Sequence, residues 1–319
     1  MTPGQQDLFP DMDGTRLGNG RRRTLILPRY LNAAAGDLRL KSTPEYQQAY
    51  QILCKWADLE ANGKLQRRKE TTLEGEFLNE VFGKALGYTL FSENLPQWQL
   101  EPRFGVNGGQ ADAAIGFFGA DGCDPPTALI ELKGPKVNLD RDRFNGRTAV
   151  QQCWVYLNSV PTCPWGMVCN YVSFRLYHRN KTPHAYEVFT LQELRDSKRF
   201  SAFYCLFARG GLLPLFKGQQ PRALQLLAES ENRQREVGRE LYDEYHKNRI
   251  ALIDHLRKPP HEKPLETSIH IAQKLLDRII FVAFCEDRNL LPARSIERAW
   301  SEQPPFSKVR NPRWQNFRE

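Results

Sequence analysis

The sequence predicts an α/β protein, with a mixed central sheet flanked by helices and an all-helical region after it. Three observations carry that expectation. Between Gln99 and Phe189, apolar or alternating runs of strand length recur between Gly, Pro and Asn clusters. Helical stripes precede and interrupt them, over 46–57, 77–85 and 148–157. From Leu191 onward the strand patterns cease and charged helices take over. With 319 residues the chain exceeds the usual size of one core. The expected division is a partly disordered leader over 1–40, an α/β domain over 41–198 and a helical region over 199–319.

Composition narrows the partners. Hydrophobic residues at 40% and charged residues at 26% are ordinary for a folded domain. A net charge of +8 favours a polyanionic partner, nucleic acid before membrane. No signal pattern and no apolar run of membrane-spanning length is present, so no membrane partner is expected and the expected compartment is cytoplasmic. The seven Cys include no CxxC and no Cys/His quartet at zinc spacing, and read as reduced core thiols.

In chain order, the leader carries one basic cluster, Arg21-Arg22-Arg23, read as a solvated segment before a phosphate-contacting arm. A helix should open at Pro44 with Ser42 or Thr43 as its cap, carry the stripe Tyr46, Ala49, Tyr50, Leu53, Cys54 and Ala57, and end at Asn62-Gly63. Lys64 to Lys69 is a basic connector. Thr71-x-x-Glu74 reads as a capping box for a second helix whose stripe is Phe77, Leu78, Val81, Phe82 and Ala85. Glu74 projects onto the middle of that stripe, where a carboxylate calls for a partner, while Glu76 falls on the opposite side.

Strands should follow at 99–104, at 110–118 with Asp112 inside it, and at 128–132, the last two joined through Gly119–Asp124 as a hairpin or short meander. In Thr127–Gly134, alternation sets Leu129, Glu131 and Lys133 on one face and Ile130 and Leu132 on the other. A buried carboxylate and ammonium there must pair or hold an ion; an exposed pair on an edge strand is the bland alternative. The loop over 135–147 carries Lys136, Arg141, Arg143 and Arg147, diluted by Asp140 and Asp142, and suits phosphate positioning. The helix over 148–157 sets Gln152 and Tyr156 on one face, and the doublet leaves Gln151 as an alternative to Gln152. Further strands are expected at 165–169, 173–177 and 185–189, with a turn at Asn170-Tyr171. Short helices over 191–198 and 200–209, a break at Gly210-Gly211, and long helices over 223–257 and 264–289 complete the chain. Ile271, Leu275, Ile279 and Val282 form a stripe that the preceding helix covers only in part, so an exposed apolar patch is expected there.

Two carboxylates on adjacent strands, Asp112 and Glu131, can hold a divalent cation through oxygen, and Lys133 beside them can orient or deprotonate a water. Asp112, the Glu131-x-Lys133 pair and the Gln152-x-x-x-Tyr156 helix resemble the PD-(D/E)XK nucleases, in the branch whose helix carries a QxxxY motif. Ala111 stands where that motif's nominal Pro precedes the Asp. The likeness spans roughly residues 70 to 190. It implies a restriction-endonuclease-like core acting on double-stranded DNA with Mg2+. Asp112 and Glu131 would be metal ligands, Lys133 and Gln152 (or Gln151) catalytic groups, and Glu74 the acidic residue on the preceding helix. Residues 272–292 resemble the helical connector of type IIG restriction–modification enzymes, in which the nuclease is joined to an adenine methyltransferase and a target-recognition domain. Neither Gln303-Pro304-Pro305-Phe306 nor Asn311-Pro312-Arg313-Trp314 fits the methyltransferase motif. The resemblance therefore implies that those domains, with their S-adenosylmethionine, lie beyond this chain. The competing expectation is a non-catalytic DNA-binding or interaction module on a degenerate nuclease fold.

Overall fold

The computed structural model describes residues 24–36, 41, 43–107, 109–119, 122–123, 125–287, 290–292 and 294–301. Arg21, Arg22 and Arg23 lie outside the described residues. The described residues form an α/β fold with a seven-stranded mixed sheet.

The leader is not solvated throughout. Leu25, Ile26 and Leu27 are buried just before helix α1 (Pro28–Gly36). The Glu187 carboxylate accepts from the backbone N–H of Leu25 (2.8 Å) and of Ile26 (2.9 Å), and the Ser230 hydroxyl accepts from Leu27 N–H (3.0 Å). An apolar Leu-Ile-Leu triplet brings three backbone donors inside, and these partners satisfy them.

Helix α2 (Pro44–Ala61) opens on Thr43, whose hydroxyl accepts from Tyr46 N–H, and Gly63 takes φ +65° just beyond its end. Helix α3 (Glu70–Phe77) runs on without interruption into a π-helical segment, Leu78–Ala85. The expected capping box does not form. The helix starts two residues earlier, at Glu70, and the Lys69 carbonyl accepts from Thr72 N–H and Leu73 N–H, which leaves Thr71 inside the helix.

The strands are β1 (Gln97–Val106), β2 (Gly109–Gly119), β3 (Gly122–Cys123), β4 (Ala128–Leu132), β5 (Trp165–Cys169), β6 (Ser173–His178) and β7 (Tyr186–Thr190), with helix α4 (Ala149–Ser159) between β4 and β5. Their order is β1-β2-β4-β5-β6-β7, with β3 added to β2, which is the expected meander with one extra short strand. Only β4 and β5 are parallel among these pairings, as the crossover through α4 requires. On one face α2, α3 and the π segment bury Trp56, Phe77 and Phe82 against Phe174 and Tyr171. On the other, Val150, Cys153 and Leu157 of α4 meet Ala114, Leu129 and Val168. A Cβ at Gly166 would lie 2.6 Å from Cys153 Sγ, so glycine there lets α4 sit directly on β5. Strand β4 is central and buried at all five positions, which removes the edge-strand alternative for Glu131.

Beyond β7 the expected helix over 191–198 is only a 3-10 turn, Glu193–Arg195. Asp196 then restarts the chain as the cap of α5 (Ser197–Phe207), accepting from Lys198 N–H and Arg199 N–H. Phe203 and Phe207 of α5 pack on Phe174 and Phe189 of the sheet. Gly210-Gly211 does not break the chain but lies within one more helical turn, α6 (Arg209–Leu212), closed by Leu213 N–H on the Arg209 carbonyl. Helices α7 (Arg222–Arg257), α8 (Leu265–Asp287) and α9 (Ser295–Ser301) follow.

The chain divides into two compact units between Asn232 and Arg233, inside α7. Helix α5 and the first turns of α7 bury Phe203, Leu206, Ala223 and Leu226 in the core around the sheet, so the change to helical character is not the edge of that unit. In the second unit the Tyr245 hydroxyl donates to Asp277 (2.9 Å). Ile271, Leu275 and Val282 are half-buried there and Ile279 is 37% exposed, so the described residues leave the expected apolar stripe partly uncovered. No helix among the described residues is long and apolar enough to cross a membrane.

His178, 7% exposed, stacks edge-on against Trp165, and burial lowers its pKa to about 4 against an ordinary 6.5, with Lys181 and Arg179 acting in the same direction and Glu231 opposing. Below pH 6.5 the unfolded chain takes up a proton that the folded chain refuses until about pH 4. Denaturant titrations are therefore expected to show stability falling between pH 6.5 and 4, with a shallower fall in His178→Gln; an equal fall in both proteins contradicts this assignment.

Candidate functional site

The site lies at the carboxyl end of β4, where the strand leaves the sheet into Lys133-Gly134. Strand alternation turns Ile130 and Leu132 into the larger core and sends Leu129 and Glu131 toward the α4 side. Strands β2 and β4 pair antiparallel with Ala113 opposite Ile130 and Ala114 opposite Leu129. Continuing that register by one residue sets Asp112 across from Glu131, so both carboxylates leave the same face. Asp112 Oδ2 accepts from the backbone N–H of Leu132 at 2.6 Å, which fixes its side chain against β4. Lys133 Nζ donates to Glu131 Oε1 and to the Leu132 carbonyl (3.0 Å), and is itself only 8% exposed.

The electrostatics follow from this burial. Glu131 is 1% exposed; burial first, and then the charge of Asp112, push its pKa up to about 7 against the pull of Lys133. Burial also raises Asp112, partly offset by the Leu132 N–H, Lys133 and Arg103. Burial disfavours the Lys133 ammonium, but Glu131, Asp112 and Glu70 together outweigh it and raise its pKa. Lys133 is thus a cation at neutral pH, and a donor rather than a base. Glu131 Oε2 is buried without a hydrogen-bond partner. An orphaned carboxylate oxygen costs several kcal/mol unless a cation or a proton meets it. Together with Asp112 across the register, this hard oxygen fits a Mg2+ ion. Among the described residues no group of three His, Cys, Asp or Glu side chains converges as a ready-made metal cage.

Helix α3 delivers a different glutamate from the expected one. Glu70 lies beside the cluster: Gly134 N–H faces its carboxylate, and its charge is felt by Lys133 and Glu131. Burial raises the Glu70 pKa, against the pull of Lys133. Glu74, one turn further on, meets Arg103 of β1 at 3.7 Å. The two glutamates are four residues apart and share a helix face. The sequence pattern names Glu74 and not Glu70, because a cap at Thr71 leaves Glu70 outside the helix. Arg103, with φ +54°, was also missed; a left-handed arginine inside a strand has no sequence signature.

The Gln151/Gln152 doublet separates into two roles. Thr148 caps α4, its hydroxyl accepting from Gln151 N–H (3.2 Å) while Gln151 Oε1 accepts from Thr148 N–H (2.9 Å). Gln152 instead donates through Nε2 to the Tyr156 hydroxyl at 2.7 Å, and Tyr156 lies against Gly109 at the start of β2. Asp112, Glu131 and Lys133 are thus brought together, while Gln152 is held by Tyr156 rather than by the carboxylates.

Comparison with family models, with curated proteins and with solved structures gives no match.

Loss of the cap hydroxyl in Thr148→Ala should cost about 1 kcal/mol of stability, read as a lower denaturant midpoint, whereas Gln152→Ala should leave the midpoint within experimental scatter. A Gln152→Ala loss equal to that of Thr148→Ala contradicts the assignment of the cap to Thr148 and Gln151.

Proposed function

We propose that this chain carries the active site of a Mg2+-dependent DNA endonuclease with a PD-(D/E)XK-type core. The observation that carries the reading is the orphaned Glu131 Oε2, buried beside Lys133 and across the register from Asp112. Asp112 and Glu131 would hold the cation. When bound, it lowers the pKa of an attacking water and offsets charge on the phosphoryl oxygens. Lys133, kept charged by Glu131, Asp112 and Glu70, donates to the water or to a phosphoryl oxygen and adds to that offset. Glu70 helps hold the ammonium in place. Gln152, already turned to Tyr156, is available to align a neighbouring phosphate. Exposed Lys136, Arg141, Arg143 and Arg147 supply positive charge beside Lys133 for the DNA backbone. The restriction–modification setting rests on the resemblance of residues 272–292.

A non-catalytic DNA-binding module is the second reading, favoured by the lack of a third convergent ligand among the described residues. Plasmid nicking separates the two. Asp112→Asn, Glu131→Gln and Lys133→Met should each lower Mg2+-dependent cleavage by about a hundredfold or more in proteins that keep the wild-type circular dichroism. A variant that cuts at the wild-type rate removes its residue from the mechanism. A wild-type chain, tested in its full-length context, that binds DNA but cuts nothing with Mg2+ or Mn2+ supports the module.

A further inference from the structure

The loop that leaves the site ends in a hairpin that the chemistry above does not use. Phe144 N–H donates to the Arg147 carbonyl (2.8 Å) and Arg147 N–H returns to the Phe144 carbonyl (3.1 Å). Asn145 and Gly146 between them take φ +52° and +82°, the pair of left-handed residues that a tight two-residue turn requires. Directly opposed residues of such a pair send their side chains to the same side. The turn therefore presents a phenyl ring and a guanidinium side by side.

The stretch that leads into this hairpin, Val137–Asp142, is braced. Asp140 takes a two-pronged ion pair from Arg175 of β6 (2.7 and 2.8 Å). Asn138 Oδ1 accepts from Asp140 N–H and Arg141 N–H, and Asp142 Oδ2 accepts from Asn138 N–H. Asn170 Nδ2 donates to the Val137 carbonyl at 3.0 Å. Phe144 belongs to neither apolar core and is 40% exposed, with its ring centroid 5.4 Å from Lys133 Nζ. Arg141, Arg143 and Arg147 around it are exposed; Asp140 is neutralised by Arg175, and Asp142, which accepts from Asn138 N–H, stays an exposed anion among three arginines.

We infer that Phe144 stacks on a nucleobase of the bound DNA strand, beside the phosphate that Lys133 faces, while Arg147 and its neighbouring arginines hold the strand's phosphates. A simple anion would need the arginines alone. A flat, exposed aromatic ring among cations matches a ligand with a π-face on an anionic backbone. Stacking requires the base to be out of its helix, so the strand enters with at least one base unpaired. The inference rests on the nuclease reading for the place of the scissile phosphate, and its test does not need cleavage.

The test is fluorescence anisotropy in EDTA and low salt, with the full chain and two labelled probes of equal length: oligothymidylate, and the same backbone with abasic residues. Wild type should prefer the base-bearing strand by about fivefold or more. Phe144→Ala should bind the two strands alike, Phe144→Trp should keep the preference, and Arg147→Ala should weaken both equally with a shallower salt dependence. Equal binding of both strands by wild type, or a preference that survives in folded Phe144→Ala and Phe144→Leu, overturns the inference. If the preference behaves as expected but no DNA is cut with Mg2+ or Mn2+, the nuclease reading falls and the stacking role stands.

Discussion

The buried Glu131–Lys133 pair constrains everything around it. Both charges sit at the end of a strand that is buried on both faces, and taking each ion out of water costs several kcal/mol. Their attraction offsets part of that cost, and Asp112 and Glu70 give the ammonium further negative charge. One carboxylate oxygen is still left over. A fold selected for stability alone would do better with two apolar residues at these positions, since a buried ion pair rarely outperforms a well-packed hydrophobic one. The arrangement makes sense if the excess negative charge is there to be used.

The fold brings that charge to one end of the sheet in a specific way. The crossover through α4 makes β4 and β5 parallel, so both strands end on the same side of the sheet. There β4 opens into Lys133-Gly134, with α3 supplying Glu70 beside it. The loop back to α4 passes the same point, which is how Phe144 comes to lie over Lys133. Charged groups from rigid elements and a loop tied down by the Asp140–Arg175 ion pair thus meet at one end of the sheet.

Much of this was legible in the chain itself. Every expected strand from 99 to 189 exists, because short apolar runs between turn residues leave few other options. The adjacency of Asp112 and Glu131 followed from reading two strands joined by a short loop. What was not legible depended on tertiary partners. The burial of Leu25–Leu27 needs Glu187, more than 150 residues away. The start of α3 at Glu70 is decided by backbone bonds to Lys69 rather than by the Thr71/Glu74 spacing, and the choice of glutamate moved with it. The Gln151/Gln152 doublet could only be divided once the cap at Thr148 was visible. Asn145-Gly146 carries the local signal of the tight turn, but the place of Phe144 over Lys133 depends on the path of the whole loop and is not encoded within its own few neighbours.

The central claim is that Asp112 and Glu131 together hold a divalent cation. Crystals soaked in Mn2+ and measured at its absorption edge test it most directly. The account predicts an anomalous peak about 2.0–2.6 Å from an oxygen of each carboxylate, and its loss in Glu131→Gln. No peak at saturating Mn2+, or an unchanged peak in Glu131→Gln, would contradict it.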